Sequence, residues 1–444
     1  MKLIHHGAHQ GVTGSCHQLK MDNGSSYLVD CGLFQGDDAK RNPNPEIKFS
    51  LSGIEALLLT HVHIDHCGRI PYLLSAGFNK PIYCSHPTAK LLPLVMEDAI
   101  RIGFTRNRRM IDKFLKTVGK LLRPLDYGEW HAIEAGGQIR LRPAGHVLGS
   151  TVFEVQTADG ATVVFSGDIG SRNAPLLNEV TSPPKADLLV LESTYGDRFH
   201  DAPDDRTKQL EAILCHTLAD KGVTIIPAFS LGRTQALLFE MNSIFEHMQS
   251  QQGCSLMKKV DVIVDSPLAS RFTQIYKDLQ PFWGQEAQAV LRIDDQPLVF
   301  DNLTTVGDHA EHMDTLNYLA EHKLPAIVIA GSGMCTGGRV VNYLKRFLQE
   351  PTADVVFVGY QAHGTPGHHI QQQRDWVRLD GKKFQIHAKV HQLSGYSAHG
   401  DQADLLRFVE QFESRPQHIR LVHGEYHAKK VLREQLSRRG YEVD

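Results

Sequence analysis

The stretch THVHIDHCGRIPYL, residues 60–73, constrains this chain more than any other. His61, His63, Asp65 and His66 fall within six residues, directly after the apolar, strand-like IEALLLT. Along an extended backbone, side chains two residues apart point the same way, so His61 and His63 share a side. Asp65 and His66 can then face a second point nearby. Donors divided in this way suit two neighbouring cations better than one. Any one of these histidines alone reads as a surface residue on a polar turn. Four donors at the end of an apolar strand call for a metal.

More ligands are needed, and the ends of other strands offer them. His146 lies in PAGHVLGS between glycines, Asp168 ends VVFSGD and His423 ends RLVHGE. Each is weak alone, and Asp168 in a Gly-Asp turn equally fits a structural cap. Together the set is five histidines and two aspartates, a nitrogen-rich shell that favours zinc over magnesium.

The 444 residues are too many for one ordinary core, so two domains are expected. Residues 1–205 read as short strands: 25–30, 55–60, 81–85, 138–145, 150–157, 161–168 and 186–193. From 206 to 383 the rhythm becomes strand, helix, strand, with apolar strands at 223–229, 259–267, 325–333 and 353–360. Helical patterns stand between them at 233–248, near 270–290 and at 341–350. Continuous apolar strands alternating with helices imply a doubly wound parallel sheet covered on both faces. Residues 384–444 return to the first style, with strands at 384–393 and 418–425 and a closing helix over 427–440. An α/β domain is therefore expected as an insertion in a discontinuous first domain.

At this point the chain resembles the metallo-β-lactamase fold, which carries H-x-H-x-D-H, a His, an Asp and a late His in this order. The insertion resembles the branch known as the β-CASP nucleases. That branch includes bacterial and archaeal ribonucleases and the endonuclease subunit of the eukaryotic pre-mRNA 3′-end machinery. The likeness runs over essentially the whole chain and implies an αββα sandwich interrupted by the inserted sheet. Asp30 in LVDCG, Glu192 in LVLEST, His399 in GYSAHGD and His423 in LVHGE are similar to its further motifs. Branch members acting on RNA carry His at the last of these, and DNA-processing members typically carry Val, so an RNA enzyme is implied.

The resemblance implies a role for each residue. His61, His63 and His146 would hold one zinc ion, Asp65, His66 and His423 a second, with Asp168 between them. Two zinc ions lower the pKa of a shared water and offset charge on the phosphate. His399 is the implied general acid and Glu192 its partner. Asp30 would orient the metal loop from behind the ligands. Read without the resemblance, SAHGDQADLL fits a helix cap, and Asp30 fits a strand-end turn as well as it fits a place behind the ligands.

Substrate contacts are expected at FSLGRTQALL (229–238), which sets Ser230 and Arg233 at a strand-to-helix turn. They are also expected at AGSGMCTGGR (330–339), through Ser332, Gly333, Gly337, Gly338 and Arg339. Glycines let a ligand approach the backbone, and Arg339 can pair with phosphate. That pattern is neither the dinucleotide fingerprint nor a P-loop. It is similar to the family's SGM-x-x-GG stretch. GYQAHGTPGHHI (359–370) resembles the family's Gly-Tyr element and adds Tyr360; it departs from the common form at His363 and Pro366. The basic stretch 101–124 reads as helical, either a guide for an RNA backbone or a solvated face.

Composition excludes several classes. Charged residues make up 22% and hydrophobic residues 41%, a globular balance. No apolar run reaches membrane-spanning length and the start lacks a signal-peptide pattern, so a cytoplasmic protein is expected. Seven cysteines without a CxxC pair argue against a disulfide framework, and most read as small buried hydrophobes. A net charge of −3 means that any affinity for nucleic acid is local. Other functions weighed are a thioester or lactam hydrolase, a non-catalytic RNA-processing subunit and a flavodiiron-like redox protein. The insertion, the complete ligand set and the intact His63 argue against these in turn. A homodimer is implied by family analogy alone.

Overall fold

The computed structural model describes residues 1–201, 203–250 and 260–444. The chain divides into two compact units. The first comprises residues 1–172, 177–199 and 399–444, and the second 173–176 and 200–398.

The first unit is built on two six-stranded sheets. One runs in the order Lys2–Gly7, Cys16–Lys20, Ser26–Val29, Ile54–Leu58, Ile82–Ser85, Leu122–Leu125. The other runs His418–Val422, Leu188–Glu192, Thr162–Phe165, Thr151–Gln156, Gly137–Pro143, Trp130–Ile133. Strand periodicity explains the packing. Val163 and Phe165 point inward to meet Tyr27, Val29 and Leu58 of the first sheet, whereas Val164 points outward. Outside, it joins Leu405, Phe408, Leu432 and Leu436 of helices Gln402–Glu410 and Tyr426–Arg438. With both faces covered, TVVF and LLVLE can be apolar without alternation. Helix His86–Gly103 packs against the other sheet, at Ile82–Ser85 and Leu122–Leu125.

The second unit is a doubly wound sheet of six parallel strands. Its order is Leu303–Thr305, Asp261–Asp265, Ala326–Ala330, Val223–Pro227, Asp354–Phe357, Lys389–Gln392. Helix Arg339–Phe347 buries Val340, Val341, Tyr343, Leu344 and Phe347 against it.

Two segments differ from expectation. The strand expected over 384–393 is two strands, Lys382–Gln385 and Lys389–Gln392. The second half pairs with Asp354–Phe357 in the parallel sheet, and the second unit runs to Ala398. The break between the halves is held by backbone: His387 and Ala388 N–H both donate to Leu348 O, at 2.9 and 3.0 Å. The basic stretch 101–124 is no single helix. It holds the end of His86–Gly103, a turn, helix Arg108–Leu121 and the start of a strand, and Asn107 caps the second helix. Most of the cysteines are buried, as expected: those at 16, 31, 67, 84 and 335 are, Cys215 is exposed and Cys254 lies outside the described residues.

Candidate metal centre

His61 and His63 lie in the loop after strand Ile54–Leu58, and Asp65 and His66 in the short helix Ile64–Cys67 that follows. His146, Asp168, Glu192 and His423 come from the ends of strands in the facing sheet. The seven expected ligands fall into two groups. His61, His63, His146 and Asp168 bring donor atoms within 4.8 Å of one another, as do Asp65, His66 and His423. A third such group is Asp168, Glu192 and His399.

In the first group His63 Nδ1 is 3.1 Å from His61 Nε2 and 2.9 Å from His146 Nε2. In the second His66 Nε2 is 3.2 Å from His423 Nε2, which is 3.4 Å from Asp65 Oδ2. Asp168 divides its oxygens between them. Oδ2 lies 3.6 and 3.5 Å from the ring nitrogens of His61 and His146, and Oδ1 lies 3.2 and 3.7 Å from those of His66 and His423.

This donor set fits divalent metal. Two imidazole nitrogens on one tetrahedral zinc stand about 3.3 Å apart, given bonds of ~2.0–2.1 Å. One proton or one lone pair on His63 Nδ1 cannot serve two neighbours, whereas a cation amid the three nitrogens serves all of them. Buried Asp168 Oδ1 is close to two rings yet makes no hydrogen bond of acceptable geometry. Burial holds His61 well below the usual imidazole range and lowers His63 to about 4, so both stay neutral, the form that ligates. Burial alone would raise Asp65, but its hydrogen bond to His423 and the charge of His66 bring it down to about 2.

The surrounding residues fix the ligands. Asp30 Oδ2 accepts from His66 Nδ1 at 2.7 Å, which leaves Nε2 for the centre. Asp30 is itself held by Thr60, whose N–H and hydroxyl donate at 2.8–3.0 Å. Thr194 Oγ1 lies 3.0 Å from His423 Nδ1. Sequence reasoning passed over Thr60 and Thr194, although each adjoins a quoted motif, LLLTH and LEST. It also passed over His17, which with Ser15 lines a small cavity beneath His66 and His423. Gly32 lets the loop close: a Cβ there would lie 1.5 Å from Asp65 O.

Glu192 accepts from Ile169 N at 2.7 Å, Thr194 N at 3.1 Å and His399 Nδ1 at 3.2 Å. Burial would lower His399, but the carboxylates of Glu192 and Asp168 outweigh it and raise the ring to about 9. Its neighbour Asp401 makes a capping box with Asp404 at the start of helix Gln402–Glu410. Within SAHGDQADLL the helix cap is therefore Asp401, two residues after His399.

The second unit gathers the three expected substrate loops at the carboxyl ends of neighbouring strands. Gln361 Nε2 donates to Gly333 O at 2.9 Å, and Ser230 Oγ meets Ser266 Oγ at 3.0 Å. Arg233 begins helix Arg233–Ser250, and Tyr360 is half-buried beyond Asp354–Phe357. Arg339 has partners inside the protein. Its guanidinium donates to the buried carboxylate of Asp265 at 2.6 Å and to Val306 O and Gly307 O at 3.1 Å. His312 and Tyr343 share that carboxylate, so Arg339 ties loops together. Two glycines are also explained internally. A Cβ on Gly333 would lie 2.8 Å from the Phe229 ring, and one on Gly338, at φ 76°, would lie 2.6 Å from Gly331 O. A Cβ on Gly337 would meet nothing within 4 Å. Ser332 Oγ accepts from Thr336 N at 3.1 Å, an intraloop turn.

Comparison with known proteins gives three family matches along the chain. Residues 11–220 match the metallo-beta-lactamase superfamily, 234–370 the Beta-Casp domain, and 383–444 the Zn-dependent metallo-hydrolase RNA specificity domain. A ribonuclease of Thermus thermophilus is 36% identical over 100% of this chain and 97% of its own length. The transcription termination factor FttA of Methanococcus maripaludis is 31% identical over 90% of the chain, which spans 63% of that longer relative. A solved structure of an Enterococcus faecalis protein of unknown function shares the fold, with TM-score 0.56 and 15% identity over 100% of this chain and 97% of that one. No helix among the described residues is long and apolar enough to cross a membrane.

Proposed function

Because the chain belongs to the β-CASP branch of the metallo-β-lactamase superfamily, a family of metal-dependent nucleases, we propose that it is a zinc-dependent ribonuclease hydrolysing phosphodiester bonds in single-stranded RNA. The observation that carries this reading is Asp168, whose two oxygens face two separate groups of imidazole nitrogens. In it, His61, His63 and His146 would hold one zinc ion and Asp65, His66 and His423 the other, with Asp168 available to both. When bound, such ions supply Lewis-acid charge and acidify water near neutral pH.

The chain's own residues do the rest. Asp30 and Thr60 hold His66 with Nε2 toward the centre, and Thr194 supports His423. Glu192 accepts from His399 Nδ1, which keeps the ring protonated and turns Nε2 toward the site. From there His399 gives its proton to the leaving ribose oxygen. The loops carrying Ser230, Arg233, Ser332 and Tyr360 contact the substrate, and Arg339 ties its own loop to Asp265 and to the backbone at Val306 and Gly307. Support for RNA comes from His423 at the last motif, from the RNA specificity domain match and from the ribonuclease relative.

The test is cleavage of an end-labelled single-stranded RNA beside the same sequence as DNA, with zinc, with a chelator and with Asp65→Ala. The expected result is metal-dependent cutting of RNA alone, abolished in the variant while its circular dichroism is unchanged. An active Asp65→Ala enzyme would sink the two-ion reading, and cutting confined to DNA would sink the substrate assignment.

A further inference from the structure

Residues 101–123 carry eight Lys or Arg and one Asp in a chain whose net charge is −3. Helix Arg108–Leu121 organises this excess. Its buried residues are Ile111 and Val118, seven apart and on one side. Arg109, Lys113, Lys116 and Lys120 stand at i, i+4, i+7 and i+11, all exposed. At 3.6 residues per turn these four fall within an arc of about 60°, opposite the buried side, and run for about 17 Å along the axis. Arg101 and Arg108 are neutralised by Glu97 and Asp112. The four stripe residues make no ion pair among the described residues. Mutual repulsion of unpaired like charges at i, i+4 destabilises a helix, so the stripe has a cost in the free protein.

An aromatic surface stands just upstream. Phe104, in the turn before the helix, is 45% exposed, and its ring lies 4.4 Å from that of Tyr72. Unpaired cations in a row beside an accessible ring match a single strand, whose phosphates follow the charges and whose unstacked bases take the ring.

We propose that the face formed by Arg109, Lys113, Lys116, Lys120 and Phe104 is an auxiliary binding surface for single-stranded RNA, engaging substrate at nucleotides remote from the cleaved bond. The proposal rests on the ribonuclease reading for its substrate, and its effect is on KM for long chains. Oligonucleotides short enough to fill only the metal centre are therefore expected to be insensitive to it.

The experiment replaces the four cations together by Gln, a helix-forming residue that leaves the buried side intact. Cleavage kinetics on a long single strand and on a short oligomer are measured across a salt series. Binding of the long strand is measured separately by fluorescence anisotropy in an Asp65→Ala background. With four phosphates no longer neutralised, the slope of log affinity against log salt falls by about 3. Over a fourfold rise in salt, that removes about a 50-fold change in affinity. The expected kinetic result is a raised KM for the long strand, with its kcat and the short-oligomer kinetics unchanged. Phe104→Ala is expected to weaken RNA at least about fivefold and leave inorganic polyphosphate unaffected. An unchanged salt slope in the four-residue variant, or equal losses on long and short substrates, overturns the proposal. RNA that binds with the stripe-dependent slope but is never cut by zinc-loaded enzyme leaves the surface standing and overturns the ribonuclease reading instead.

Discussion

Asp30 and His423 sit in left-handed backbone, at φ 59° and 50°. For residues with a Cβ this costs on the order of 1 kcal/mol each. Both are at the centre: Asp30 hydrogen-bonds His66, and His423 stands 3.2 Å from it. The strain aims side chains that a relaxed turn would send elsewhere. His399 shows the same dependence on partners, because burial by itself would make it a poor acid and Glu192 reverses that. His399→Ala is expected to lower kcat by roughly 10²–10⁴-fold with KM and metal content unchanged. A raised folded-state pKa means the acid is present below that value and lost as pH rises through it. The alkaline fall in kcat should therefore disappear in the variant. Wild-type rates across the pH range would leave His399 with only a structural part beside the Asp401 cap.

At the scale of elements, the turn from strand Ile54–Leu58 into helix Ile64–Cys67 is the piece on which the centre depends. It is latched by Ser15 N–H on Asp65 O at 2.8 Å and Cys31 N–H on His66 O at 2.8 Å. Gly32 passes between them, where any side chain would strike the Asp65 carbonyl. Gly32→Ala is expected to destabilise the fold by roughly 1–3 kcal/mol through overpacking and to weaken metal binding. The chemical-denaturation midpoint and a zinc-competition titration check the two parts; a variant of unchanged stability and affinity would show that the loop yields freely. The metal loop was legible in sequence because its donors are adjacent. The segment 384–393 was not, since its alternation fits either sheet and only the carbonyl of Leu348 decides where the chain turns. The partner of Arg339 was hidden for a similar reason. An Arg at a glycine-rich helix start gives no local sign that Asp265, 74 residues earlier, pairs with it.

For the whole molecule, the proposed ligands run from His61 to His423, across the entire inserted unit. Metal bound by the folded form alone stabilises it by RT ln(1 + [L]/Kd), about 2.7 kcal/mol at a hundredfold excess over Kd. Stripping the metal should lower the thermal midpoint and re-adding zinc should restore it. A midpoint indifferent to both would mean that the two groups of donors hold no structural ion. Sequence by itself determined the donor types, the strand ends that carry them and the parallel, doubly wound character of the insertion, because periodicity and composition are local properties. Only the tertiary structure decided which donors share a point, that Asp168 divides its oxygens, that Thr60 and Thr194 stand behind the ligands and that Arg339 is spent on Asp265. Those facts depend on distances between residues up to 357 positions apart, as between His66 and His423, and no local pattern encodes such a distance.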